Sequence, residues 1–345
     1  MAKKVMIGMS GGVDSSVAAF LLASAGYECI GTTMQLHDAA QAQIQDATAV
    51  CDRLGISFCS LNAQQAFREK VQAHFVWAYE NGLTPNPCIE CNKHLKFGLF
   101  WEAAKAQGCT HIATGHYARV EEENGIFHLK KGKEAQKDQS YFLYGIPYSL
   151  LPHILFPLGE LDKASVRQIA ESQGLVTARK KDSQDICFVP DGDYMTFLRS
   201  FTDKDYAPGN YLDLNGKVVG QHQGAVAYTI GQRKGLGIAL GEPVYVCGKD
   251  MTKNTVTVGP NDALFQKLLR ANDWNWLSPI PTEPLRCMAK ARSRMAEQPA
   301  TVYPEDNGFY RVEFDDPQRA ITPGQAVVLY DNDAVLGGGT ITEAM

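Results

Sequence analysis

The chain contains 345 residues, of which 45% are hydrophobic and 21% are charged, and its formal net charge is −5 at pH 7. This composition is typical of a soluble globular protein with two or three domains. The sequence has neither a secretory signal at its start nor an apolar run near the ~20 residues that span a bilayer, which predicts a cytoplasmic location. The acidic charge argues against a nucleic-acid partner unless basic residues cluster locally.

The first part of the chain alternates predicted strands and helices. Apolar periodicity and glycine stops predict strands over residues 3–9, 27–36, 56–61 and 111–115, and helices over residues 13–25, 39–54, 64–79, 92–107, 163–173 and 193–201. This alternation predicts an α/β fold with a doubly wound parallel sheet, whose ligands bind beyond the carboxyl ends of the strands. Residues 117–130, centred on Asn124 and Gly125, are expected to add a hairpin to this layer.

From about Ala207 the helical periodicity fades, and short alternating runs separated by glycine and proline appear. They cover residues 211–214, 226–230, 244–246 and 255–258, and then 285–291, 300–302, 310–314, 326–330 and 334–342. Such runs predict two small, mostly β domains, the last of them barrel-like. We place the boundaries near residues 205 and 268, which divides the chain into 1–205, 206–267 and 268–345.

A glycine-rich loop, Ser-Gly-Gly-Val-Asp-Ser-Ser at residues 10–16, lies between the first strand and the first helix. Its amides and the positive helix end favour an anion such as pyrophosphate, and Asp14 is assigned to a Mg²⁺ ion that neutralises the phosphate charge. The alternative is a Ser/Gly-rich turn that only caps the helix. The loop is no Walker loop but matches the SGGxDS signature of the PP-loop ATP pyrophosphatases, which cleave ATP between the α- and β-phosphates.

Three of the nine cysteines stand out. Cys88 and Cys91 follow two prolines just before a predicted helix, whose dipole is expected to lower a thiol pKa, and Cys187 lies in the run Asp-Ser-Gln-Asp-Ile-Cys-Phe. One hypothesis is sulfur transfer, in which Cys91 and Cys187 cycle between thiol, persulfide and disulfide. The others are an iron–sulfur cluster on Cys88, Cys91 and Cys187, of the [4Fe-4S] type, and a structural zinc site. The other six are interpreted as core residues: Cys29, Cys51, Cys59, Cys109, Cys247 and Cys287.

Six motifs in order, SGGVDSS, TPNPCIECN, ATGHYAR, KDQSYFL, DSQDICF and YTIGQRKGLGI, closely resemble those of the bacterial tRNA-specific 2-thiouridylases. The resemblance runs from about residue 4 to the end of the chain. It implies that ATP adenylates the C2 oxygen of the wobble uridine U34 in tRNA, and that sulfur then displaces AMP to give 2-thiouridine. It also implies tRNAs for Lys, Glu and Gln as substrates, and a cysteine desulfurase or a sulfur-relay protein as the sulfur donor.

The resemblance assigns roles position by position. Cys91 matches the nucleophile and Cys187 the carrier of the persulfide. The expected ATP contacts are Gly8, Met9, Ser10, Gly11, Gly12, Val13, Asp14, Ser15, Met34 and Gly115. The target base is expected at Asn86, Pro87 and Cys88, and other tRNA contacts at His116, Lys137, Asp138, Gln139, Arg292, Ser293 and Gln325. Many relatives carry an aspartate, proposed as an acid/base, at the position of Cys88, so the cysteine strengthens the cluster hypothesis here.

Basic residues gather in several places and suggest a discontinuous RNA track: Lys93 and Lys96; Lys130, Lys131, Lys133 and Lys137; Arg179, Lys180 and Lys181; Arg233 and Lys234; Arg286, Lys290, Arg292 and Arg294. Two other functions compete with thiolation. One is a PP-loop ligase that transfers nitrogen to an adenylated carbonyl, which has no use for Cys91 or Cys187. The other is a non-catalytic RNA-binding protein with a vestigial phosphate loop, which the retained Asp14 and serines argue against.

Overall fold

A computed structural model describes the protein over residues 3–37, 41–180, 186–189 and 192–345. The first part contains β1 (Lys4–Gly8), α1 (Val13–Ser24), β2 (Glu28–Gln35), α2 (Gln41–Leu54), β3 (Ser57–Asn62), α3 (Gln64–Phe67), α4 (Ala73–Glu80), α5 (Pro87–Cys91), α6 (Phe100–Ala106), β4 (His111–Ala113), β5 (Ala118–Glu123), β6 (Ile126–Lys131), β7 (Ile154–Leu155), α7 (Lys163–Ser172) and α8 (Tyr194–Thr202). Two π-helical segments, Arg68–Gln72 and Asn92–Leu99, connect α3 to α4 and α5 to α6.

The second part is built from strands. They are β8 (Gly209–Leu212), β9 (Val218–His222), β10 (Tyr245–Asp250), β11 (Thr255–Gly259), β12 (Phe265–Trp276), β13 (Leu285–Lys290), β14 (Gln298–Pro304), β15 (Tyr310–Arg319), β16 (Ala326–Asp331) and β17 (Ala334–Ala344). Short 3-10 turns cover Ser140–Phe142, Tyr148–His153, Ala225–Ala227, Asn261–Leu264 and Asp306–Gly308. Throughout the described ranges, every helix is too short or too polar to cross a bilayer.

The N-terminal sheet is parallel and has the strand order β3-β2-β1-β4-β7, which confirms the predicted doubly wound fold. The order reverses between β1 and β4, so the loops after these two strands flank a crevice at the carboxyl edge of the sheet. Helix α1 packs its apolar side on the sheet, because Val13, Val17 and Leu22 belong to the same buried cluster as Val5 and Ile7. The phosphate loop therefore opens at the switch point.

The predicted hairpin forms, but in a different sheet. Asn124 and Gly125 both have positive φ, 53° and 82°, as a tight type I′ turn requires. Strand β6 pairs with β17, where Lys130 lies opposite Ala334, so the hairpin extends the C-terminal sheet instead of the parallel layer. The expected placement was wrong because the pairing partner lies about 200 residues away along the chain, where no local pattern indicates it.

The C-terminal strands form a closed six-stranded barrel, β12-β15-β14-β13-β16-β17, which the pairing of β12 with β17 closes. The barrel-like prediction is confirmed. A smaller sheet, β10-β11-β8-β9, precedes it. The strand predicted over residues 226–230 was wrong, since Ala225–Ala227 forms a 3-10 turn. Position 268, expected to separate two domains, lies inside β12.

One apolar core joins the parallel layer to the barrel. Phe100 and Ile112 from the N-terminal part belong to the same buried cluster as Val328, Tyr330 and Val335 from the barrel. Each of these side chains is at most 3% exposed. The parallel layer and the barrel are thus packed as parts of one body, which fixes the loops between them.

Candidate active site

The phosphate loop joins β1 to α1 and is closed by its own serines. Ser15 Oγ lies 3.2 Å from both Ser10 N and Ser10 Oγ and also donates to Gly12 O at 3.2 Å. Ser16 Oγ donates to Gly12 O at 2.8 Å and accepts from Thr177 Oγ1 at 2.9 Å. These bonds hold the turn in shape while Ser10 remains exposed at the mouth of the crevice.

Two glycines are required by close backbone approaches. Gly11 has a φ of +68°, and a Cβ there would lie 2.8 Å from Gln43 O. Gly115 follows β4, and a Cβ on it would lie 2.8 Å from both Asp14 C and Ser15 N. Gly115 therefore lies directly against the first turn of α1, at the place where the anion is expected.

The remaining expected ATP contacts lie around this crevice. Gly8 ends β1, and Val13 begins α1 as a buried residue. Met9 is buried and donates its N–H to Thr32 O at 2.8 Å. Met34 lies near the end of β2, where it packs on the apolar cluster that contains Cys91.

Asp14 is neutralised by a lysine from a distant helix. Lys163 Nζ lies 2.7 and 2.8 Å from the two carboxylate oxygens, and Tyr117 Oη donates to Asp14 Oδ1 at 2.8 Å. The carboxylate has the oxygen chemistry that Mg²⁺ prefers, so Asp14 fits a Mg²⁺ ion provided that Lys163 releases it. Sequence reasoning missed Lys163 and Tyr117. One feature could have indicated the lysine: it occupies the first position of α7, where the helix dipole disfavours a cation.

A second lysine borders the same loop. Lys180 Nζ donates to Gly11 O at 3.0 Å and forms an ion pair with Asp46 of α2. Lys163 and Lys180 thus bring two positive charges to the loop. A site of this kind favours a strongly negative ligand.

The first two cysteines lie within a helix, not before it. Asn86 caps α5 by accepting from Cys88 N at 3.2 Å, and Pro87 occupies the first turn. Cys88 is exposed, whereas Cys91, at the end of α5, is 8% exposed. Burial raises the pKa of both thiols, which Lys96 partly opposes. The expected lowering of these pKa values by the helix dipole is therefore wrong, because desolvation outweighs it.

Cys187 comes close to this pair. Its pKa is raised to about 11, by desolvation first and then by the Cys91 and Cys88 thiols, while Lys96 opposes the rise. The neighbouring Phe188 packs edge-on against Phe67 at 5.6 Å between ring centroids, in the same apolar cluster as Cys91. The four residues before Ile186 in the motif, residues 182–185, and Lys181 lie outside the described residues.

A chain of polar contacts connects Lys96, whose charge acts on the cysteines, with the carboxyl edge of the sheet, where the nucleotide is expected. Lys96 Nζ lies 3.3 Å from His116 Nε2, and His116 Nδ1 lies 2.7 Å from Thr114 Oγ1. Burial first, and Lys96 second, hold the pKa of His116 well below its usual value. Thr114 directly precedes Gly115, so a chain of polar contacts runs from the phosphate loop to Lys96, whose charge acts on all three thiols.

Most of the expected tRNA contacts make hydrogen bonds inside the protein. Asp138 Oδ1 accepts from Gly132 N at 3.0 Å and from Ser140 N at 3.1 Å. Gln139 Oε1 accepts from Tyr117 N at 2.9 Å, which steadies the residue that bonds to Asp14. These two side chains shape the turn after the hairpin.

The other expected tRNA contacts differ in their surroundings. His116 is 8% exposed and lies in the interior. Lys137 and Ser293 are half-buried. Arg292 Nη2 donates to Ile230 O at 3.0 Å, and Gln325 Nε2 donates to Thr84 O at 2.8 Å. The structure therefore groups the loop residues at the start of α1 and groups the three cysteines near Lys96, and leaves the tRNA positions spread over several elements.

Several residues of the basic clusters are paired with carboxylates. The residues in ion pairs include Lys93, Lys130, Lys131, Lys133, Lys180 and Arg286. Among the residues that the structure describes, no three His, Cys, Asp or Glu side chains are grouped so that they could hold a metal ion. The arrangement of Cys88, Cys91 and Cys187 therefore does not fit an iron–sulfur cluster or a zinc ion as it stands.

Comparison with known proteins shows to which family the chain belongs. Family models described as the tRNA methyl transferase HUP domain, the tRNA methyl transferase PRC-barrel domain and the aminomethyltransferase beta-barrel domain match residues 3–191, 195–260 and 266–341. The tRNA-specific 2-thiouridylase MnmA of Clostridioides difficile is 45% identical over 100% of this chain and 99% of its own length. The chain belongs to the MnmA family. The MnmA of Symbiobacterium thermophilum is 47% identical over 100% of this chain and 93% of its own length.

Among solved structures, NMN synthetase from Francisella tularensis is similar at 17% identity over 60% of this chain and 79% of that chain. Its TM-score of 0.38 is too low for an argument about function. Membership of the MnmA family confirms the resemblance inferred from the six motifs.

Proposed function

We propose that the protein is a tRNA 2-thiouridylase, a sulfurtransferase that uses ATP to convert the wobble uridine U34 of tRNA to 2-thiouridine. The observation that carries the proposal is the proximity of two kinds of chemistry. An amide-lined loop at the start of α1 touches Gly115, and the link through Thr114, His116 and Lys96 leads from there to the reactive thiols. We infer that the anion site and the nucleophilic sulfur serve one reaction.

The phosphate loop suits the first step. The C2 oxygen of the uridine attacks the α-phosphorus of ATP, the bond to the β-phosphate oxygen breaks, and pyrophosphate leaves. Loop amides, the serine hydroxyls, Lys163 and Lys180 offer donors and positive charge to the leaving group. When bound, Mg²⁺ neutralises phosphate charge, and Asp14 would hold it. Adenylation is needed because the oxygen of an unactivated carbonyl is a poor leaving group.

The cysteines suit the second step. The terminal sulfur of a persulfide on Cys187 attacks C2, and AMP leaves with the former C2 oxygen. The Cys91 thiolate then attacks Cys187 Sγ, which releases the thiolated base and leaves a Cys91–Cys187 disulfide. A thiol reductant returns two electrons to this disulfide, and a sulfur donor protein reloads Cys187. Lys96, which lowers the pKa of both thiols, favours their anionic forms.

An iron–sulfur mechanism is the alternative for this second step. Cys88, whose position holds an aspartate in many relatives, would then be the third ligand of the cluster. Because the described residues form no three-ligand group, we route no step through a cluster. Cys88 is instead assigned, with Asn86 and Pro87, to the place where the flipped-out base enters.

The partners and the domain division belong to the same proposal. The substrates are tRNAs for Lys, Glu and Gln in the cytoplasm, and the chain divides into three domains near residues 205 and 268, the second boundary falling within β12. The family models carry the description of methyl transfer, whereas the curated relatives carry the name 2-thiouridylase. Two thiols beside a phosphate loop favour sulfur transfer.

The decisive experiment separates adenylation from sulfur transfer. The protein is incubated with a U34-containing tRNA transcript, ATP, Mg²⁺, a thiol reductant and a cysteine desulfurase with cysteine as the persulfide donor, and both pyrophosphate and 2-thiouridine are measured. We expect Asp14→Asn to abolish both products, and Cys91→Ser to retain pyrophosphate formation while losing thiouridine. Cys247→Ser is the matched control, since Cys247 lies half-buried in β10, and it should behave as wild type.

Two outcomes would favour the competing functions. Full activity of the Cys91→Ser variant would favour a PP-loop ligase that transfers nitrogen. Failure of the wild-type protein to form pyrophosphate in the presence of tRNA would favour a non-catalytic RNA-binding protein.

A further inference from the structure

The segment that precedes the cysteine helix is held by the C-terminal barrel. Thr84 N donates to Pro323 O at 2.9 Å, and Gln325 Nε2 donates to Thr84 O at 2.8 Å. The backbone N–H and C=O of Thr84 are thus both bonded to one turn of the barrel, residues 322–325, which we call the barrel turn. The two segments approach each other so closely that a Cβ on Gly324 would lie 2.7 Å from Thr84 N.

The barrel turn is itself firmly anchored. Gly324 N donates to Ile341 O at 2.8 Å, and Ile341 N donates to Gln325 O at 2.8 Å, so the turn is bonded to β17 on both sides of Gln325. Gln325 N also donates to Thr322 O at 3.1 Å. Because β17 is a strand of the closed barrel, the turn has a fixed position relative to the barrel wall.

The small central sheet region is tied to the same turn. Arg292 Nη2 donates both to Thr322 Oγ1 and, at 3.0 Å, to Ile230 O. Further contact comes from Met251, whose Cγ would lie 2.8 Å from a Cβ on Gly82. The segment before the cysteines is therefore fixed by residues from both C-terminal regions.

A movement at Thr84 would be passed on to the thiols. Only three residues separate Thr84 from Cys88, and two of them, Pro85 and Pro87, have a φ fixed by the proline ring. The third, Asn86, caps α5 by accepting from Cys88 N at 3.2 Å. Because this connection is rigid, the position of Thr84 determines the orientation of α5.

We propose that Gln325 is a positioning residue: its amide holds Thr84 in place and so sets the orientation of the helix that carries Cys88 and Cys91. The resemblance assigns Gln325 to a tRNA contact, but its half-buried amide already donates to the protein backbone. The proposal rests on the proposed function, since the orientation of α5 matters for the reaction only if these cysteines handle sulfur.

The test compares full-length wild type with Gln325→Ala, Gln325→Glu and the control Gln221→Ala. Gln325→Glu keeps the shape of the side chain but turns a carboxylate oxygen towards the Thr84 carbonyl. Gln221 is exposed on β9 and remote from the barrel turn in the chain. The measurements are the melting temperature, kcat and KM for tRNA in thiolation, the tRNA dissociation constant, and the rate at which iodoacetamide alkylates Cys88 without tRNA or ATP.

We expect both Gln325 variants to lower kcat by roughly three- to tenfold, the effect of losing one hydrogen bond, while the KM and the dissociation constant for tRNA stay within about twofold. Cys88 alkylation should change in the same variants and not in Gln221→Ala. A higher KM for tRNA with unchanged kcat and alkylation would identify a tRNA contact and overturn the proposal, as would wild-type behaviour in every assay.

Failure of the proposed function would be recognised separately. If wild type itself forms no thiouridine, the alkylation of Cys88 in the free protein still decides whether Gln325 orients α5. Gln325→Glu guards against misfolding of Gln325→Ala, because it preserves the volume of the side chain.

Discussion

Substituting Gly115 by alanine tests how closely β4 approaches the phosphate loop. The added Cβ would lie 2.8 Å from Asp14 C and Ser15 N, whereas unstrained carbon contacts are about 3.5–4.0 Å. Both atoms belong to the backbone of α1, so the helix start must move by several tenths of an ångström. Overpacking of this kind costs about 1–3 kcal/mol of the free energy of unfolding, or roughly 2–12 °C in melting temperature.

Gly8→Ala is the matched control, since it lies at the same sheet edge and its nearest contact, Thr114 Cγ2, would be at an ordinary 3.6 Å. Differential scanning fluorimetry should give a lower melting temperature for Gly115→Ala than for Gly8→Ala. Displacement of the amides at the start of α1 should also weaken ATP binding relative to wild type by about fivefold or more in calorimetry. Equal melting temperatures together with wild-type ATP affinity would refute the argument.

Three further predictions concern charge. Lys163→Met should reduce the rate of tRNA-dependent pyrophosphate formation about 100-fold, because the variant lacks a cation beside Asp14. Lys163→Arg should restore part of this rate. A rate within twofold of wild type for Lys163→Met would contradict the prediction. The buried His116 binds a proton less readily in the folded than in the unfolded protein. The free energy of unfolding should therefore fall as the pH drops below about 6.5, by up to about 1.4 kcal/mol per pH unit. In urea titrations at pH 7.5 and 5.5, the His116→Gln variant should show a smaller difference in this free energy than wild type. Lys96→Met should slow alkylation of Cys187 at pH 8 by raising its pKa, whereas Lys96→Arg should not; equal rates in the two variants would argue against an electrostatic role.

Local patterns predicted the elements that local forces determine. The start of α1 at Val13 follows from the glycines before it, and the turn at Asn124 and Gly125 follows from their tolerance of positive φ. Strand β12 was not predicted at all, because Lys267 and Arg270 interrupt its apolar pattern. Such a strand is specified by its partners in the closed barrel, which a single segment does not reveal.

The site was predictable where one motif holds all of its parts. The glycine-rich loop and the cysteines of α5 are each continuous in sequence. Lys163 lies 149 positions from Asp14, so only the folded chain brings the pair together. The thiol pKa values also depend on the fold, because burial and the cation of Lys96 come from packing. The tRNA roles of Arg292 and Gln325 remain predictions, although both side chains bond within the protein.

The hairpin β5–β6 has a consequence for how this protein is made. Its outer neighbour β17, Ala334–Ala344, lies about 200 residues further along the chain, so on a translating ribosome the edge of β6 waits until those residues have emerged. Until then an unpaired strand edge is open to association with other nascent chains. A fragment ending near residue 205 would keep that edge permanently, and is therefore expected to aggregate instead of folding as an independent nucleotide-binding unit.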